Sequence, residues 1–183
     1  VISEIDVKTV LSRSVCEFHS DLVTRSTGRA VRGGIEALLE EHPDVTVVVL
    51  DFSAVRVLDW SCTDEVVAQL LLRHGGVDAT RPAYFLVRGL DETHAEQIDD
   101  VLRRHGLALV AAERSGAVRL LGRVTDLMRA AWERLARRGP SAAEELATEL
   151  AWSLADTRAA LDELAGRRLV IRADERYLPL PAA

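Results

Sequence analysis

Seven consecutive residues, Asp59-Trp60-Ser61-Cys62-Thr63-Asp64-Glu65, bring three carboxylates, two hydroxyls, a thiol and an indole to the junction of an apolar run and an amphipathic one. Three chemistries suit that cluster. The first is structural. Ser61 and Asp64 have the S-x-x-D spacing of a capping box, in which the hydroxyl accepts from a backbone N–H and the carboxylate returns a bond. Such a cap contributes about 1 kcal/mol, and Asp64 and Glu65 in a first turn suit the helix dipole. The second is a switch, with Ser61 or Thr63 accepting a phosphate. Beside Asp59, Asp64 and Glu65 that phosphate meets like charges, so an acidic patch only becomes more acidic. The third is catalysis, through Cys62 as nucleophile or the Asp59/Asp64/Glu65 cluster. No histidine lies in the segment, no Cys-His or G-x-S-x-G signature accompanies it, and flanking acids raise a thiol pKa. The residues favour the cap and a chain that is not an enzyme. Trp60 belongs to none of the three. Core packing beside the helix is its expected fate, and an aromatic anchor for a partner is the alternative.

Other residue types carry less. His19, His42, His74, His94 and His105 lack the spacing of a metal site and read as solvated surface histidines. Cys16 and Cys62 form neither a disulfide framework nor a CxxC pair. Gly33-Gly34 and Gly75-Gly76 lack the Lys-Ser/Thr of a P-loop and the G-x-G-x-x-G spacing, so no nucleotide or other cofactor is implied. The first pair, inside a helix, suggests close packing or a kink. Arg25, Arg29 and Arg32 line one side of that helix and read as a solvated face, with reception of an acidic partner or a phosphate as the alternative.

The elements that position these residues follow from periodicity. VKTVLSRSVCEF (7–18) alternates loosely, as one or two edge strands. Ala30, Val31, Ile35, Leu38 and Leu39 recur at helical spacing until His42-Pro43. VTVVVLDF (45–52) is β-branched and apolar on both faces, as an interior strand of a covered sheet must be. Val66, Val67, Leu70 and Leu71 mark a helix after the cluster; RPAYFLVRGL is a strand; Ile98, Val101 and Leu102 mark another helix; ALVAAERSGAVRLLG reads as a hairpin or strand. Residues 1–122 therefore predict a mixed α/β sandwich.

Composition changes after that. Residues 123–139 predict an amphipathic linker helix with a basic face (Arg123, Arg129, Arg134, Arg137, Arg138) and an apolar stripe of Leu127, Met128, Ala131, Trp132 and Leu135. Within 140–183, Ser141 and Glu144 have capping-box spacing before the buried face Ala143, Leu146, Ala147 and Leu150. Trp152-Ser153 makes a turn, and Ala160, Leu161 and Leu164 face inward from a second helix. Leu169-Val170-Ile171 and Tyr177-Leu178 flank a turn at Asp174-Glu175. Helix, tight turn, helix and β-wing is the plan of a winged helix-turn-helix domain.

The chain has 183 residues, is 48% apolar and 28% charged, and carries a formal charge of −6. A global field of that sign does not attract nucleic acid or anionic membranes, so any such binding is local. No apolar run reaches the roughly 18 residues of a membrane span. The opening VISEIDVKTV lacks a basic start and an apolar h-region, so a cytoplasmic protein is expected.

The segments TRSTGRAVRGGIE (24–36) and VVVLDFSAVRVLDWSCTDEVVAQLL (47–71) resemble the STAS-like domains related to anti-sigma-factor antagonists. The resemblance spans about two thirds of the chain. It implies a non-enzymatic signalling domain that docks a protein of the kinase-like or sigma-regulator class. In that family a phosphorylated serine follows an Asp at this helix start. Asp59 matches the acid, Trp60 stands at the serine's place, and Ser61 comes one position later. Docking carries over; the phosphorylation site does not. The docking and switch candidates are Asp59, Trp60, Ser61, Thr63 and Asp64. The tail is similar to winged helices of bacterial transcription regulators, whose second helix enters the major groove. Here that helix offers Ala155, Asp156, Thr157, Arg158 and Asp162, and Arg167, Arg168, Arg172 and Arg176 complete the candidate DNA contacts. Five arginines face eight acids in 140–183, so DNA and protein both stay open as the target. The reading is a regulatory protein whose first domain docks a partner and whose winged helix relays the state; a small enzyme or a purely protein-binding adaptor are its rivals.

Overall fold

The computed structural model describes residues 1–15, 21–44, 46–75 and 83–181. The chain divides into two compact units, Val1–Arg123 and Val124–Pro181. Cys16, His19 and Gly76 lie outside the described residues.

The first unit is mixed α/β around a five-stranded, mostly parallel sheet. Strands β1 (Ile2–Asp6), β3 (Val47–Asp51), β5 (Tyr84–Leu90) and β6 (Ala108–Glu113) run parallel in the order β1-β3-β5-β6, and β7 (Val118–Gly122) closes an antiparallel hairpin with β6. The continuous apolar run becomes β3, an interior strand with parallel neighbours on both sides. Ile5, Leu50, Val87 and Ala111 sit at one register level and enter the core with Leu11, Val31, Ile35, Phe52, Val66, Leu70, Ile98 and Leu102. Val47, Val49, Leu86, Val110 and Leu120 alternate to the other face and are also buried.

Residues 7–14, expected as edge strand, are helix α1 (Val7–Ser14). Asp6 accepts from the backbone of Lys8 and Thr9, and Val7, Val10 and Leu11 are buried at helical spacing. The cap and that spacing outweigh the β-branched content. The strand lies one step earlier, in ISEID. Helix α2 (Arg25–Glu41) ends at His42, as the sequence predicts. Gly34 lies against α1, where an added Cβ would fall 2.7 Å from Ser14 Oγ and Val10 Cγ1. The expected helix after β3 is one run over 60–74: α3 (Trp60–Thr63), a π-helical turn (Asp64–Gln69) and α4 (Leu70–His74). Helix α5 (Glu92–Arg104) precedes β6. Two short strands, β2 (Asp21–Leu22) and β4 (Val57–Leu58), form a separate parallel pair.

In the second unit, α6 (Asp126–Arg138) buries Met128, Ala131, Trp132 and Leu135 while Leu127 stays exposed. The helix expected as a linker is thus counted within this unit. Strand β8 (Ser141–Ala142), helices α7 (Ala143–Leu150) and α8 (Leu154–Gly166), and strands β9 (Val170–Ala173) and β10 (Arg176–Pro179) follow. The strands make an antiparallel sheet of order β8-β10-β9. Ser141 does not cap α7. It lies in β8 and donates to the Gly139 carbonyl, while Glu145 accepts the Ala142 N–H at 2.8 Å. The cap is shifted by one residue because β8 takes Ser141 into its ladder.

Candidate functional site

The pair β2/β4 sets the site. Its two parallel strands deliver the starts of α2 and α3 side by side, locked by Asp59 N–H to Leu22 O at 2.8 Å and by Arg56 bidentate on Asp21. Asp59, not Ser61, is the N-cap of α3. Its Oδ1 accepts the Cys62 N–H at 2.7 Å and the Ser61 hydroxyl at 2.8 Å, and its Oδ2 accepts the Thr24 N–H at 2.8 Å. Burial alone would raise this carboxyl; the bonds from Cys62, Thr24 and Ser61 outweigh it and hold the group below the usual carboxylate range. Asp64 is therefore free of the expected capping role.

Asp64 and Glu65 turn instead toward α2. Arg25 bridges Asp64 at 2.6 Å and Glu65 at 3.0 Å; Arg29 and Arg32 reach Glu65 at 3.2 and 3.5 Å. Glu65 is only 4% exposed, and its three guanidinium partners make that burial tolerable. The arginines read as a solvated face are the ion-pair wall of the site. The other side of Asp64 meets His105 Nε2 at 2.6 Å. Burial pushes Asp64 upward, but the hydrogen bonds from Arg25 and His105 prevail and its pKa is lowered. Two helices approach closely enough for these pairs because residue 28 is glycine: a Cβ there would stand 2.9 Å from Glu65 Cβ and 3.0 Å from Cys62 Cα. The π-helical turn carries both acids, and such turns recur at functional sites.

Trp60 departs from the expected core position. It is 40% exposed, and Arg104, from the last turn of α5, holds its guanidinium carbon 4.1 Å from the ring centroid. Arg25, Trp60, Ser61, Asp64, Val101, Arg104 and His105 line an open cavity of about 410 Å³. Thr63 is fully buried; its hydroxyl donates to the Asp59 carbonyl and accepts from Gln97, so it is no surface acceptor for phosphate. Cys62 is fully buried as well. Its thiol donates to the Thr24 carbonyl at 2.9 Å, and burial followed by the Asp59 charge pushes its pKa up to about 12. That is the opposite of a nucleophile's environment. Thr24 itself has φ 74° and ψ 143°, a strained backbone for a β-branched residue.

One histidine differs from the surface expectation: His94 is 3% exposed in the first turn of α5. His105 is exposed, as expected, and is paired with Asp64 in the site. Sequence reasoning missed Arg104 and His105 as site residues, because their partners lie about 40 residues away in the chain. Among the described residues, no group of His, Cys, Asp and Glu is arranged to hold a metal, and no helix is long and apolar enough to cross a membrane.

The candidate DNA contacts are placed differently from expectation. Thr157 is fully buried and its hydroxyl donates to the Ser153 carbonyl, which removes it from any groove-facing set. Arg158 pairs with Glu144 at 2.5 Å, Arg172 with Asp162 at 3.0 Å, and Arg176 with Glu145 at 3.2 Å and the Pro140 carbonyl at 2.7 Å. Arg167 stands 3.8 Å from Glu163, and Arg168 follows α8 at φ 58°. Arg134 and Arg138 are both bridged to Glu149. Tyr177 donates to Asp162 at 2.5 Å; burial, then that bond, raises the phenol to about 12. No protein-family model matches this chain, and no curated protein matches it either.

Proposed function

We propose that this chain is a non-catalytic regulatory protein that docks a protein partner at the Trp60 face of its first unit, with the second unit acting as a winged-helix-like relay. One observation carries the reading: Trp60 stands exposed under the Arg104 guanidinium, on a framework whose neighbouring carboxylates are already paired. Aromatic and arginine side chains held rigidly at a cavity rim are the residues that dominate protein interfaces. The parallel sheet, the strand–turn–helix order around Asp59 and the segment resemblance support a STAS-like first unit and a partner of the kinase-like or sigma-regulator class. The inert thiol of Cys62 weighs against the enzyme rival.

The helix–strand–helix–helix–strand–strand order of the second unit supports the winged-helix reading. Its arginines at 158, 172 and 176 are held by acids of the same unit, so a phosphate backbone would have to compete for each of them. That favours a protein as the target of the relay over DNA.

The test is affinity capture from the native cell with the chain and with Trp60→Ala. A discrete protein retained by the first and lost with the second supports docking through this face. Equal recovery by both contradicts it.

A further inference from the structure

We infer that the cavity beneath Arg104 seats an acidic side chain, Glu or Asp, from the docking segment of the partner, with an adjoining apolar side chain lying on Trp60. The inference rests on the docking reading and adds the chemistry of what docks. Arg104 is exposed and makes no hydrogen bond or ion pair with any described residue; its guanidinium is held over the Trp60 ring alone. That sets it apart from Arg25, Arg29 and Arg32 beside it, each engaged with Asp64 or Glu65. A stacked guanidinium keeps its N–H edge available, and that planar fork matches a carboxylate in two parallel bonds.

The local charge has the right sign although the whole chain is at −6. Among the residues that line the cavity, Arg25 and Arg104 face the single carboxylate of Asp64, an excess of one positive charge. The carboxylates are committed: Asp59 to three donors, Asp64 to Arg25 and His105, Glu65 to three arginines. A basic occupant of the cavity would find its lining carboxylate, Asp64, already paired with Arg25 and His105, whereas an acidic one finds Arg104. The exposed indole of Trp60 in the lining favours a peptide over a small inorganic anion, which gains nothing from an apolar wall.

The experiment uses the full labelled chain on an array of amidated decapeptides of mixed sequence, each Glu- or Asp-containing peptide matched by its Gln or Asn counterpart. The expected result is enrichment of binders in which an acid adjoins an apolar residue. Each such binder should lose at least about tenfold in affinity on Glu→Gln replacement, and a similar amount when the protein carries Arg104→Gln, the scale of one charge-assisted pair. Arg104 is exposed, so the variant is expected to fold, and circular dichroism checks it. Indifference to Glu→Gln, unchanged binding by Arg104→Gln, no binders at all, or displacement by inorganic phosphate as effective as by acidic peptide would each overturn the assignment. If Trp60-dependent capture of a protein persists while acidic peptides fail, docking stands and the acidic occupant falls.

Discussion

Asp59 satisfies three donors from two segments, so its loss should be felt beyond one helix cap. Asp59→Ala leaves the Cys62 and Thr24 N–H groups without their acceptor and is expected to destabilise the protein by about 2 kcal/mol, the upper end for a cap. Denaturant titration reads it; a change below a few tenths would contradict the placement. The carboxyls of Asp59 and Asp64 are held below their ordinary range in the folded state, while in the unfolded chain an Asp titrates near about 3.9. Their stabilisation is therefore complete above that value and is lost as pH falls through the lower folded pKa. Asp64→Asn should flatten this acid limb. Cys62 gives a sharper readout. With its pKa at about 12 and the thiol buried, iodoacetamide at neutral pH should modify the Cys62 peptide only when denaturant is added. Fast labelling of the Cys62 peptide in the native chain would restore the enzyme reading.

The strain at Thr24 is a property of how two elements meet. Thr24 donates its N–H to Asp59, accepts from Cys62 through its carbonyl, and caps α2 with its hydroxyl, all at φ 74°. Thr24→Gly relieves backbone strain of about 1–3 kcal/mol and loses only a few tenths as a cap, so a net gain of about 1 kcal/mol is expected. Gly28→Ala should do the reverse. Its Cβ meets the Cα of Cys62 and the Cβ of Glu65, which no side-chain rotation can move, and overpacking of that kind costs about 1–3 kcal/mol. At this scale the legible and the illegible part company. Runs with one strong local signal, such as VVVLD or the stripe of α5, are read correctly from periodicity. The start of α1 is not, because a single Asp6 cap decides between helix and strand. Ser61 and Ser141 each have the spacing of a cap yet lose the role to neighbours. Asp59, two residues earlier, accepts from both Cys62 and Thr24, and β8 claims Ser141.

For the molecule as a whole, charge explains what the sequence leaves open. Residues 140–183 are acidic in sum, and the candidate DNA-contacting arginines at 158, 172 and 176 are paired within the second unit. Duplex DNA titrated with the chain at low salt should therefore show no binding that weakens steeply with salt. A steep salt slope with sequence preference would make the second unit a DNA reader. The cluster at 59–65 is visible in the sequence, but its meaning depends on Arg25, Arg104 and His105, brought in by α2 and α5. Spacing along the chain carries no trace of such pairs. It places Trp60 inside by the usual preference of indoles for burial, and the Arg104 stack shows why an exposed position is tolerated.

The central claim is that a protein partner sits on Trp60. The most direct measurement replaces Trp60 with a photo-crosslinking aromatic residue in the native cell and, in parallel, replaces exposed Val118 on β7. Irradiation is predicted to give one discrete protein adduct from position 60 and none from position 118. The absence of an adduct at 60, or the same adduct from both positions, would contradict the account.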